Sequence, residues 1–171
     1  MGCVSSSQVS PETAEERAAI ASLARGGFKL SSEKDVNKHQ TANHNKALRQ
    51  CPIHVACANG DIVTARWLAS KGANLRAQNS YQQTPLMLAC EQGNIPLADF
   101  LFESGAAADL HESGCGGTTA LHLAVHRRQH GICSWVLSKA PDGEGREAAA
   151  KRRDNHGDTP LMLVVSGGCP C

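Results

Sequence analysis

Thr84-Pro85-Leu86-Met87-Leu88-Ala89-Cys90 is one of four versions of the same short phrase in this chain. An earlier one reads Cys51-Pro52-Ile53-His54-Val55-Ala56-Cys57. Later ones read Thr119-Ala120-Leu121-His122-Leu123-Ala124-Val125 and Thr159-Pro160-Leu161-Met162-Leu163-Val164-Val165. Successive copies lie 33, 35 and 40 residues apart. A period near 33 marks a stacked array in which each unit is too small to bury its apolar face alone. Arrays of this kind offer extended surfaces to other proteins, so the phrase points to binding rather than catalysis.

The residues of the phrase say how each unit begins. Proline in a first helical turn needs no amide donor and arrives with its φ already set, so Thr84-Pro85 and Thr159-Pro160 read as helix starts. The threonine hydroxyl can accept one of the amides left over there. Ala56, Ala89 and Ala124 are small residues where neighbouring units approach closely, and Cys57, Cys90 and Val125 follow them. Gly60 and Gly93 fall nine residues after the opening position, where a left-handed turn separates two helices. Trp67, Phe100 and Trp135 stand at matching positions in the second helix, followed by Leu68, Leu101 and Val136, and are expected to be core between repeats.

Taken together these positions resemble the ankyrin repeat, over about residues 47–168. Gly72-Ala73-Asn74 and Gly105-Ala106 match that family's closing Gly-Ala-Asp/Asn. Arg128 stands at the inter-helix glycine of the third unit and Ala140 at its closing glycine. A mixed-charge insertion, roughly residues 141–150, follows. The fourth unit reaches Gly168 and then only Cys169-Pro170-Cys171. The resemblance implies an all-α ankyrin-repeat solenoid with about three full repeats, 47–79, 80–113 and 114–153, and a partial fourth, 154–168. Residues 10–46 are expected to form a capping helix, opened by Ser10-Pro11 or by Thr13 with Glu16 and ended at Gly26-Gly27, and then a polar linker.

The formal net charge is +1, which gives no bulk attraction to nucleic acid. Residues 25–49 are locally basic, read as a solvated linker. No apolar run approaches transmembrane length. Among the eight cysteines, Cys57 and Cys90 share one repeat position, where cysteine acts as a small hydrophobe; a reduced, cytosolic setting is expected.

The N-terminus reads Met1-Gly2-Cys3-Val4-Ser5-Ser6-Ser7, which fits N-myristoylation of Gly2 with Ser6 at the Ser/Thr position. One myristoyl chain binds membranes only marginally, so a second signal is needed. Glu12, Glu15 and Glu16 outweigh Arg17 behind it, which leaves S-palmitoylation of Cys3 as the second anchor. Residues 1–9 are then an acylated tail holding the protein to the cytoplasmic face of a membrane, the plasma membrane first.

No nucleotide loop, nucleophile elbow or zinc-protease motif is present, so neither a catalytic residue nor a cofactor site is expected. His122, His126 and His130 are spaced by four. The repeat frame makes His122 the counterpart of His54 and puts His130 beyond the turn, so the three are not expected to form a metal site. A protein partner is expected on the concave face. Asn59, Glu91, Gln92, His126, Arg127 and Arg128 would line it near the inter-helix turns, and Arg49, Gln50, Tyr81 and Gln83 would lie at the hairpin tips. Aromatics and arginines dominate hot spots, which favours Tyr81, Arg127 and Arg128. The apolar fourth phrase, without an outer helix, is expected to self-associate or dock on a partner.

A narrower resemblance is to the ankyrin part of plant-type ankyrin–RING ubiquitin ligases. It rests on Ile53 to Gly60, on Gln83 to Ala89 and on the insertion before the fourth phrase. By that reading the chain is a substrate-recognition portion, and it contains no RING ligand set.

Overall fold

A computed structural model gives the structure, and it describes residues 14–25, 27, 36–37, 40–41, 49–140 and 144–166. Gly2, Cys3, Ser10, Pro11, Thr13, Gly168, Cys169 and Cys171 lie outside the described residues, and so do the readings made on them. The described part is all-α except for one two-residue pairing. Helix α1 spans Ala14–Arg25. Strands β1 (Gln40–Thr41) and β2 (Arg49–Gln50) pair antiparallel, Gln40 with Gln50 and Thr41 with Arg49. Helix pairs follow: α2 (Pro52–Ala58) with α3 (Ile62–Ser70), α4 (Pro85–Gln92) with α5 (Ile95–Leu101), and α6 (Ala120–His126) with α7 (His130–Lys139). Then come α8 (Glu144–Lys151) and α9 (Pro160–Ser166).

The helices form two rows. Each copy of the phrase is an inner helix, and α2, α4, α6 and α9 pack in succession. The outer row is α1, α3, α5 and α7, so α1 takes the place of an outer helix ahead of the first full pair. Its Ala19 and Leu23 are buried, and the Glu16 carboxylate accepts from Trp67 Nε1 at 3.2 Å. One continuous core runs from Leu23 through Ile53, Leu86, Leu97 and Leu121 to Val136. Short helices are marginal alone, and this apolar face shared between neighbours is what holds them.

Local chemistry starts and stops the helices as expected. Thr84 Oγ1 accepts from the Met87 amide at 3.4 Å, and Thr159 Oγ1 from the Met162 amide at 3.2 Å. Asp61 and Asn94 cap the outer helices by accepting from the Thr64 and Leu97 amides, at 3.0 and 3.1 Å. The described residues of the insertion are helical. It forms the helix α8, packed on α7 and α9, because Ala148-Ala149-Ala150 favours helix and Glu147 pairs with Lys151 one turn on. Ala140 has φ −68° and ψ 139°, so the chain leaves α7 extended instead of turning left-handed as at Gly72 (φ +80°).

The linker also carries structure. Val36 is buried. Asn37 Nδ2 donates to the Gly72 carbonyl at 3.0 Å, and its Oδ1 accepts from the Asn74 amide at 2.7 Å. Asn37 thereby ties the segment before the first phrase to the end of the first repeat.

Candidate protein-binding surface

Two edges of the stack gather the polar residues singled out in the sequence. The first is built from the inter-helix turns. Gly60 and Gly93 are left-handed, at φ +70° and +75°, and Arg128 takes the same conformation at φ +57°. The left-handed φ at Gly93 favours glycine, and a Cβ there would lie 2.2 Å from Gln129 Oε1, so the Gln129 side chain would have to move aside. Asn94 Nδ2 donates to the Gly60 carbonyl at 2.9 Å, joining the first two turns, and Gln129 lies over Gly93 at the next step.

Along this edge Asn59, Gln92, His126, Arg127 and Arg128 are exposed and Glu91 is half-buried. Arg127 directs Nε and Nη2 to one Glu91 oxygen, at 2.9 and 2.6 Å, and so bridges the second and third turns. Much of the Arg127 charge is therefore met within the chain, and the third turn also presents His126 and Arg128. At the other end, a hollow of about 490 Å³ opens between α1 and the first turn, lined by Ser22, Arg25, Val55, Asn59 and Asp61. Burial pushes the Asp61 pKa up, but hydrogen bonds from Thr64 and Ser22 outweigh it and leave the carboxyl below its usual range.

The second edge is a ladder of hairpins. Asn79 Oδ1 accepts from the amides of Tyr81 and Gln83, at 2.9 and 3.0 Å. Asp154, five residues before the fourth phrase as Asn79 is before the second, accepts from His156 and Asp158, both at 2.9 Å. Gly114 holds that place in the middle hairpin, where a Cβ would lie 3.3 Å from the Tyr81 carbonyl. The hairpins stack through their backbones: Cys115 N–H donates to the Tyr81 carbonyl at 2.7 Å, and Asn155 N–H to the Gly116 carbonyl at 2.8 Å. Tyr81 is 51% exposed at its tip. Gln83 is half-buried, and its side-chain oxygen accepts from Asn79 Nδ2 at 3.2 Å. Gln50 is half-buried, and both it and Arg49 belong to the β pairing.

The histidines of the phrase are structural links. His54 Nδ1 accepts from the Cys51 amide at 3.1 Å, and Nε2 donates to the Ala77 carbonyl at 3.0 Å. His122 Nδ1 accepts from the Thr119 amide at 3.2 Å, and Nε2 donates to the Asp158 carbonyl at 3.2 Å. Both rings are buried and fasten one repeat to the next hairpin. His126 and His130 are exposed, and among the described residues no three His, Cys, Asp or Glu side chains come together as a metal-binding group. Burial raises the Cys57 thiol, and raises that of Cys90 to about 12 with Cys133 adding to it, so neither offers a reactive thiolate near neutral pH.

The aromatic positions lie on the seam between outer helices. Trp135 is buried, whereas Trp67 and Phe100 are only half-buried. Trp135 Nε1 donates to Asp99 Oδ1 at 2.7 Å, as Trp67 does to Glu16. Phe100 lies 5.4 Å from the Arg66 guanidinium. The residue-by-residue reading missed Asn37, Glu16 and Asp99. Asp99, 36 residues before Trp135, is the one a repeat-length comparison could have found.

The class follows from this geometry: a helical repeat stack whose turns and hairpins line up into continuous polar edges. The chain belongs to the ankyrin-repeat family, since the model for Ankyrin repeats (3 copies) matches residues 22–112, just over half of it. The match opens inside α1 and closes before α6, so the third and fourth phrases lie beyond it. None of the curated proteins matched the chain. Ankyrin repeats are modules for protein–protein interaction.

Proposed function

We propose that this chain is a non-enzymatic adaptor, tethered to the cytoplasmic face of a membrane by acyl groups on Gly2 and Cys3, which recruits a protein through its concave face. The observation that supports recruitment best is the row of exposed polar side chains at successive turns: Asn59, then Gln92, then His126, Arg127 and Arg128. Rigid, stacked turns present such groups at little entropic cost on binding. The tether rests on Met1-Gly2-Cys3-Val4-Ser5-Ser6, where one acyl chain gives reversible attachment and two give a stable one.

Fractionation of cells expressing the full chain tests the tether. Gly2→Ala should move the protein to the soluble fraction, and Cys3→Ser should leave a weakly bound, exchanging form. A Gly2→Ala protein that stays wholly on membranes refutes the tether. A second reading makes the chain the substrate-recognition portion of an ankyrin–RING ubiquitin ligase. It is supported by the insertion before the fourth phrase, and it requires that this chain transfer no ubiquitin by itself.

A further inference from the structure

The insertion helix α8 closes over the third repeat without filling the space beneath it. A cavity of about 480 Å³ lies there. On the side of the repeat its walls are Leu110, Leu121, Val136 and Ala140, all buried. On the side of α8 they are Ala148 and Ala149. An alanine has nothing beyond its Cβ, so the residues that favour the helix are too short to reach the leucine and valine opposite. Small-molecule sites run from about 300 to 1,000 Å³ and are lined mostly by apolar groups. Apolar walls give water few partners, so such a space takes an apolar guest in preference to ordered water.

The lining also carries charge. His111 and Arg152 are both exposed and both belong to it. Arg152 Nη1 donates to the His111 carbonyl at 2.8 Å, which holds the guanidinium beside the cavity. That bond is to a backbone carbonyl and neutralises no charge. The next residue, Arg153, is held in the same way by the Gly157 carbonyl at 2.7 Å. The carboxylates close in sequence to this site have cations of their own: Glu147 pairs with Lys151, and Glu112 with Arg76 at 3.7 Å. A guanidinium presents its N–H groups in a fixed fork that matches a carboxylate.

We infer that this cavity is a binding site for a small monocarboxylic acid with an apolar tail. The tail lies between α8 and the third repeat, and the carboxylate meets Arg152. Charge complementarity at Arg152 selects the acid over a neutral molecule of the same length. The site needs neither the acyl groups nor the protein partner, so the inference is independent of both.

The test is calorimetric titration of the unacylated full chain with octanoic acid, below its micellar concentration, beside octan-1-ol. Wild type should take up a single equivalent of the acid and bind the alcohol more weakly. Arg152→Gln should weaken the acid by about tenfold or more and leave the alcohol unchanged. Ala149→Leu fills the cavity and should abolish uptake of both, with thermal melting to check that the variant is folded. Amide shifts in wild type on adding octanoic acid should centre on Leu121, Val136 and Ala149, a readout that needs no variant. No saturable uptake by wild type overturns the inference. So do an alcohol that binds as tightly as the acid, uptake that persists in a folded Ala149→Leu protein, or shifts that centre elsewhere.

Discussion

Arg128 occupies a backbone conformation suited to glycine, and replacing it separates the cost of that conformation from the use of its side chain. Its φ is +57°, beside +70° and +75° at Gly60 and Gly93. A left-handed residue with a Cβ costs about 1–2 kcal/mol through the contact of Cβ with the carbonyl oxygen. Glycine gives back about 0.5–1 kcal/mol because its unfolded chain is freer. The Arg128 side chain also has an interaction of its own, so the clean comparison is between two variants that both lack it. Arg128→Ala keeps the strained Cβ, and Arg128→Gly removes it. We expect Arg128→Gly to be more stable than Arg128→Ala by about 1 kcal/mol, a difference of about 3 °C in Tm for a chain of this size. Urea denaturation followed by circular dichroism reads the same quantity. If the two variants unfold together, or the glycine variant first, the φ argument is wrong. Left-handed backbone at a residue with a Cβ persists where the surrounding structure holds it in place, and such positions cluster at binding sites. Both variants should therefore bind a cross-linked partner less well than wild type.

His122→Ala removes an acceptor for the Thr119 amide and a donor to the Asp158 carbonyl in a buried site; we expect a loss of about 2–4 kcal/mol. Amide exchange should show it first in α9, the element that His122 helps to hold, and a uniform change along the stack would contradict the link. Trp135→Phe keeps most of the ring packing but drops the hydrogen bond to Asp99, and should cost about 1 kcal/mol in denaturant midpoint analysis. Asp99 also sets a pH dependence. Lys139 first, and the Trp135 N–H second, hold its carboxyl below the ordinary value of 3.8. Its stabilising contribution is whole above 3.8 and drains away as pH falls through the lowered native value. Asp99→Asn should therefore unfold earlier than wild type near neutral pH and converge with it in acid; a gap that widens on acidification would refute the assignment.

The chain by itself determined the array. Four phrases at near-constant spacing, with Thr-Pro starts, small residues at the close approach and glycine at the turns, fix the inner helices because these are local requirements of backbone and packing. Even the departure at Arg128 was legible, since a glycine position holding another residue is visible as a break in register. The tertiary structure decided what lies a repeat or more away in sequence. That Asn37 fastens the first repeat, that Glu16 and Asp99 receive the tryptophan N–H groups, and that Glu91 takes up Arg127 all depend on groups 35 to 51 residues apart, and pattern within one repeat is silent about such pairs. The two polar edges arise in the same way. Spacing put Asn59, Gln92 and Arg127 near successive turns, but only stacking turned three separate turns into one surface.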